Sequence, residues 1–198
     1  FKQKTAYEIY QCDWSSDVCS SDLGRIDPDG YLWITGRVKD LIIRGGHNID
    51  PLMIEDAIKK HPAVLHVAAV AKPDAYAGEL PIAYVQKVPG STVTAEELAA
   101  FALEHVPERP AVPKEFHFVD TMPVTDIGKP DKVGLRFDAA TRAYTEALAG
   151  LPVTVSVGPH ETHGTQVTIS GKGLKPEDEQ KVATVMKAYS HHWVLQES

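Results

Sequence analysis

Hydrophobic and polar positions fall into regular order from Gly24 onward. In "GRIDPDGYLWITGR" (24–37) the turn formers Asp27-Pro28-Asp29-Gly30 precede β-rich Tyr31–Thr35, which predicts a hairpin. "LIIR" (41–44) continues as a short strand that stops at Gly45-Gly46. Asp50 followed by Pro51 predicts a capped helix, with Glu55 and Asp56 suited to the positive end of its dipole. Ile54, Ala57 and Ile58 give that helix one apolar stripe. "AVLHVAAVAKPD" (63–74) and "PIAYVQKV" (81–88) read as buried strands, with "KPDAYAGEL" (72–80) as the loop between them. Thr94 to Glu97 matches a capping box, opening a helix to about Val106 with Leu98, Phe101 and Ala102 on one face. A Pro-rich link, the alternating strand "EFHFVD" (115–120) and a helix from about Asp131 to Ala149 complete an α+β domain of roughly 125 residues.

Beyond Gly150-Leu151-Pro152 the pattern changes to two short alternating strands, "VTVSV" and "QVTIS", then the helix "KPEDEQKVATVMKAYS" and a last strand "HHWVLQ". This ββαβ order is half of a ferredoxin-like unit. Residues 150–198 are thus read as a small extension, with packing onto the preceding domain left open.

Residues 1–23, "FKQKTAYEIYQCDWSSDVCSSDL", keep neither a helical nor a strand period and hold both cysteines. "DVCSSDL" back-translates as GAC GTG TGC TCT TCC GAT CT, which resembles the end of a sequencing-library adapter. The expectation is an artefactual leader at 1–23, set aside from the fold reading, with native sequence from Gly24. The remainder then has no cysteine and no disulfide or thiol chemistry.

Composition narrows the function classes. With 43% hydrophobic and 24% charged residues the chain can bury a core, and its formal charge of −7 with no dense basic tract argues against a nucleic-acid surface. No apolar run reaches the roughly 18 residues of a membrane span. The N-terminal residues lack the basic-then-apolar order of a secretory signal.

Most isolated chemical signals are weak. His160 and His163 have a metal-compatible spacing but lie in a polar turn without a third ligand in view. Gly128-Lys129 and Gly171-Lys172-Gly173 lack the remaining positions of a phosphate-binding loop. Two longer stretches differ. "TGRVKDLIIRGGHNIDPLMIED" (35–56) packs Arg37, Lys39 and Asp40 between a hairpin and a strand, just before a glycine pair and a capped helix. "PVTDIGKPDK" (123–132) holds Lys129 between Gly128 and Pro130, where neither settled helix nor central strand can form.

Together these stretches resemble the hinge motif and the C-terminal lysine motif of the adenylate-forming enzymes, the superfamily of acyl-CoA synthetases, peptide-synthetase adenylation domains and firefly luciferase. "GGHNIDP", "HPAV" and "PDAYAGELPIAYV" are most similar to acyl-CoA synthetases. The resemblance covers Gly24 to about Ala149. It implies the C-terminal subdomain of an AMP-forming enzyme that joins a carboxylic acid to ATP and then to CoA. ATP with Mg2+ and CoA are its substrates, the large N-terminal adenylation domain its partner, and the cytoplasm its location.

By the same resemblance Lys129 is the adenylation lysine, given local freedom by Thr125, Asp126 and Gly128. Lys39 is the hinge, with Asp40 the neighbouring candidate. Arg37 contacts the ATP ribose, Gly45 and Gly46 line the pantetheine channel, and Lys114 matches a basic position used for CoA phosphates. No residue is assigned to a metal. Asp22 falls at the family's ribose-binding Asp but lies in the leader, so it is not assigned. Pro130 departs from the usual Ile or Val after the lysine. The phosphate loop and acyl pocket lie upstream, so the acid is not readable, and the chain alone, as a fragment of such an enzyme, is expected to be inactive because both halves of such a site must be positioned together. The alternative is a non-catalytic interaction module that keeps the subdomain fold, for which Lys129 and the hinge are dispensable.

Overall fold

The computed structural model describes residues 7–8, 22–126 and 128–197. Apart from residues 7–8 and 22–23, the expected leader lies outside the described residues. Strands β1 (Tyr7–Glu8), β2 (Asp22–Ile26) and β3 (Leu32–Arg37) form one antiparallel sheet, with Tyr7 opposite Gly24. The expected boundary between Leu23 and Gly24 falls inside β2, where its register against β3 shifts. The β2–β3 turn is the one expected from Asp27-Pro28-Asp29-Gly30. The Asp27 carboxylate accepts from the backbone of Asp29 and Tyr31 and, at 2.7 Å, from the Trp33 indole.

The central sheet is built from β4 (Ile42–Arg44), β5 (His47–Ile49), β6 (Val64–Asp74), β7 (Gly78–Lys87) and β8 (Phe116–Val119). Its order is β5-β4-β7-β6, and β8 runs parallel to β7. Two expectations change here. Gly45-Gly46 does not simply end a strand: with φ of 55° and 86° the pair closes a tight hairpin that pairs Arg44 with His47. The expected loop 72–80 shrinks to 75–77, because Asp74 accepts from the backbone N–H of Tyr76 and Ala77 and turns the chain at once. Pro73 and Pro81 both lie toward the hairpin end of this ladder.

Three helices flank the sheet: α1 (Pro51–Ile58), α2 (Ala95–His105) and α3 (Lys132–Ala147). Asp50 caps α1, and Thr94 with Glu97 forms the expected capping box on α2. Strand alternation explains the continuous apolar runs, since both faces are covered. Val67, Ala69, Ala83 and Val85 face α1 and α2 through Ile54, Ile58, Leu98 and Ala102. Ala68, Val70, Ile82 and Tyr84 face α3 through Leu135 and Ala139.

The tail folds as expected into β9 (Thr154–His160), β10 (Gly164–Gly171), α4 (Pro176–Met186) and β11 (His192–Glu197). Its order is β11-β10-β9, with β11 parallel to β10 after the α4 crossover. The packing question is settled by α3. Ala140, Tyr144 and Leu148 join Val167, Ile169, Val182 and Met186 in one buried cluster. One helix therefore serves two cores, the sheet's along one stripe and the tail's along another.

Candidate functional site

The Lys129 loop leaves the sheet after buried Met122, whose N–H donates to Gln86 Oε1 at 3.0 Å. Val124 and Pro130 pair across it, the Thr125 N–H donates to Lys129 O at 2.7 Å, and the Gly128 N–H donates to Thr125 O at 2.8 Å. Gly128 sits at φ 78°, a conformation that glycine adopts without strain. Around this position the described backbone is a closed turn. Lys129 stands exposed at its tip, with no ion pair among the described residues.

The foot of the loop is fixed on two sides. The Asp131 carboxylate caps α3 by accepting from Val133 and Gly134 at 3.1 Å each. Lys132 reaches back to Glu55 Oε1 at 2.8 Å, and that same oxygen accepts from the Ala69 N–H at 2.7 Å. Burial raises the Glu55 pKa above its ordinary value, with the Lys132 charge and its hydrogen bond opposing. Burial likewise raises Asp50, against the Leu52 N–H and Lys132.

Arg37 ends β3 and is exposed. Val38–Asp40 then forms one 3-10 turn with no side-chain cap, closed by a long 3.3 Å bond from Leu41 N to Val38 O. Lys39 is exposed. What holds this turn to the body of the domain is Arg136 of α3. Its Nη1 donates to Lys39 O and to Asp40 Oδ1, both at 2.8 Å. Lys39, Asp40 and the Lys129 loop are therefore all fastened to the first turns of α3.

The other expected positions are fastened elsewhere. Gly45 and Gly46 are exposed at the β4–β5 tip, where the Gly45 N–H donates to Ala77 O at 2.8 Å. A Cβ on either would meet nothing within 4 Å, so their positive φ, and not crowding within this chain, is what asks for glycine. On the strand below, Arg44 donates to Pro110 O at 2.6 Å, and the Ile43 N–H donates to Glu79 Oε2 at 2.7 Å. Burial raises the Glu79 pKa, with the Ile43 bond and Arg136 opposing. Lys114 is exposed and donates its backbone N–H to Pro81 O at 2.8 Å.

Sequence reasoning missed Arg136, Glu55, Lys132 and Glu79 as members of this constellation. Their one sequence signal is that Lys132 and Arg136 follow the lysine motif at helical spacing. In the tail, His192 joins His160 and His163, with ring centroids 4.0 Å apart for His163–His192 and 4.9 Å for His160–His163. The rings stack, so their in-plane nitrogens do not converge, and no metal-holding group of three occurs among the described residues.

Residues 53–129 match the model of the AMP-binding enzyme C-terminal domain. A marinolic acid–CoA ligase of Pseudoalteromonas sp. (strain SANK 73390) is 49% identical over 136 residues, covering 69% of this chain and 21% of the ligase. A 2-methylpropanoate–CoA ligase of Humulus lupulus is 40% identical over 133 residues, covering 66% of this chain and 23% of the ligase. The crystal structure of ATP-bound MatB from Rhodopseudomonas palustris superposes with TM-score 0.58 at 35% identity, over 62% of this chain and 24% of that one. The chain thus spans between a fifth and a quarter of the length of these relatives. Its α+β fold is that of the C-terminal subdomain of adenylate-forming enzymes, and its residues 53–129 match the AMP-binding enzyme C-terminal domain.

Proposed function

We propose that this chain is the C-terminal part of an AMP-forming acyl-CoA synthetase. The observation that carries the reading is the Lys129 turn: an exposed ammonium at the tip of a closed loop whose foot is fixed by Asp131 and the Lys132–Glu55 pair. In the parent reaction a carboxylate attacks the α-phosphate of ATP, giving acyl-adenylate and pyrophosphate. The acyl group then passes to the thiol of CoA. The two anions repel, so a fixed cation between them stabilises the charge of the transition state. A lysine ammonium is a compact point charge suited to that place. The braced turn means that little ordering is needed when it enters the site.

Mg2+ would come with the ATP phosphates, and no residue of this chain is given to it. Arg37 would contact the ribose, and Lys114 a phosphate of CoA. Gly45 and Gly46 would line the thiol's approach, where their exposed tip leaves room. Between the half-reactions the subdomain would turn about Lys39 relative to an N-terminal adenylation domain, its partner in a cytoplasmic enzyme. Hinges of this kind are a few residues that absorb a large φ/ψ change.

The test is pyrophosphate exchange. The chain alone should give no acid-dependent exchange between ATP and labelled pyrophosphate. The chain continued upstream into its complete parent should give it. A complete parent that binds ATP but never exchanges would overturn the reading and favour a non-catalytic interaction module.

A further inference from the structure

We infer that Arg136 is a positioning residue that confines the pivot to the φ and ψ of Lys39; this rests on the synthetase reading above. The two bonds from Arg136 Nη1 end on Lys39 O and Asp40 Oδ1, 2.8 Å each. The Lys39 carbonyl lies in the same peptide plane as the Asp40 N–H. Fixing that oxygen, and the carboxylate on the next Cα, fixes the Lys39–Asp40 peptide and the Asp40 side chain to α3. Rotation at the φ of Asp40 would carry Lys39 O away from the guanidinium. Rotation at the φ and ψ of Lys39 moves the chain upstream and leaves both bonds in place.

The first residue of the turn has no side-chain cap, and the bond from Leu41 N to Val38 O is long at 3.3 Å. Asp40 and Arg136 are about three-quarters buried, with side chains 26% and 29% exposed, so solvent screens the pair less than it would a fully exposed one. The guanidinium meets two acceptors through one nitrogen, and a lysine has no planar fork to hold both in a fixed geometry. Because α3 begins just after the lysine loop, Arg136 also makes Lys129 and the downstream end of the hinge one rigid body. When the hinge turns, the lysine is withdrawn as a unit, with none of the motion lost in Asp40 or Leu41.

Two measurements test this. In the 198-residue chain, 15N relaxation should give Asp40 and Leu41 order parameters near the rigid value of about 0.85, falling below about 0.6 in Arg136→Ala. Arg136→Lys should fall between them, and Ala68–Val70 should not change, which reports that the variants remain folded. Unchanged values at Asp40 and Leu41 overturn the inference, whatever the parent enzyme does. In the complete parent, Arg136→Ala should lower kcat for the thioester half-reaction about tenfold, with the KM for ATP within about twofold, and adding Asp40→Ala should cost less than about twofold more. Independent, multiplying losses for the two variants would overturn it. If the order parameters fall but the parent forms no adenylate at all, the latch stands and the synthetase reading is what has failed.

Discussion

Tyr144 is where the tail meets the rest of the molecule, and its removal should undo one without the other. The side chain is fully buried, its ring packs edge-on against Tyr189 at 4.9 Å, and its hydroxyl shares a 2.6 Å hydrogen bond with His191 Nδ1. Tyr144→Phe keeps the ring and leaves a half-buried ring nitrogen without its partner, a loss of about 1–3 kcal/mol. Tyr144→Ala also empties the ring's volume and should cost about 3–5 kcal/mol, by analogy with other aromatic-to-alanine core changes. Leu135 and Ala139 pack toward the sheet, whereas Ala140, Tyr144 and Leu148 pack toward β10 and α4. The damage should therefore stay in the tail. Hydrogen exchange read by mass spectrometry should show β9, β10 and β11 exchanging about five- to a hundredfold faster in Tyr144→Phe, since about 1.4 kcal/mol is a factor of ten. Tyr144→Ala should exceed that, while peptides from β6 and β7 change little. Equal acceleration in β6 and β7 would refute the two-stripe account of α3, and an unaltered tail would refute the role given to Tyr144.

Acid should loosen the tail first. Burial holds His191 below its ordinary pKa of 6.5, so the unfolded chain takes up its proton first and the tail's stability falls as pH drops below about 6.5. Burial opposes the charge on Glu115, but Lys72 and His117 outweigh it. Burial also opposes Asp138, but Arg142 and Tyr84 outweigh it. Both carboxylates sit below their ordinary range, so their contribution is present above the unfolded values and is lost only in more acid solution. Exchange followed from pH 7 to pH 3 should show the two stages in that order, and loss of β6 and β7 protection before that of β10 would contradict it. Asp131→Ala removes the α3 cap and should cost about 1 kcal/mol, read as a lower urea midpoint, with Asp131→Asn keeping most of the stability. In the complete parent, Lys39→Pro fixes φ near −65° and should spare pyrophosphate exchange while blocking thioester formation; full turnover would place the hinge elsewhere, with Asp40 next.

Local chemistry was legible wherever a residue acts on its near neighbours. Asp50 before Pro51, Thr94 with Glu97, and Asp27 in the first hairpin all do in the structure what their spacing predicts. The errors came where a breaker has two readings. Gly45-Gly46 ends a strand or turns a hairpin, and only pairing with a partner strand decides. The loop expected over 72–80 is shorter in the structure because the Asp74 carboxylate turns the chain within 75–77. Lys129 and residues 37–40 stand out in the sequence as motifs, but the Arg136 bond that ties Asp40 to α3 spans 96 positions, and no local pattern encodes such a contact. The two stripes of α3 are a similar case. Ala139 and Ala140 are adjacent and equally apolar, and only the tail's position shows that they belong to different cores.

The proposed role of Lys129 is to supply the charge for adenylation and to be withdrawn before thioester formation. The most direct measurement is Lys129→Ala in the complete parent, with each half-reaction timed separately. Pyrophosphate release from ATP and acid should fall by about a hundredfold or more, the scale set by removing one preorganised transition-state group. Thioester formation from pre-made acyl-adenylate and CoA should stay within about threefold of the unaltered enzyme, a difference of well under 1 kcal/mol. Equal loss in both half-reactions, or unimpaired adenylation, would contradict the account.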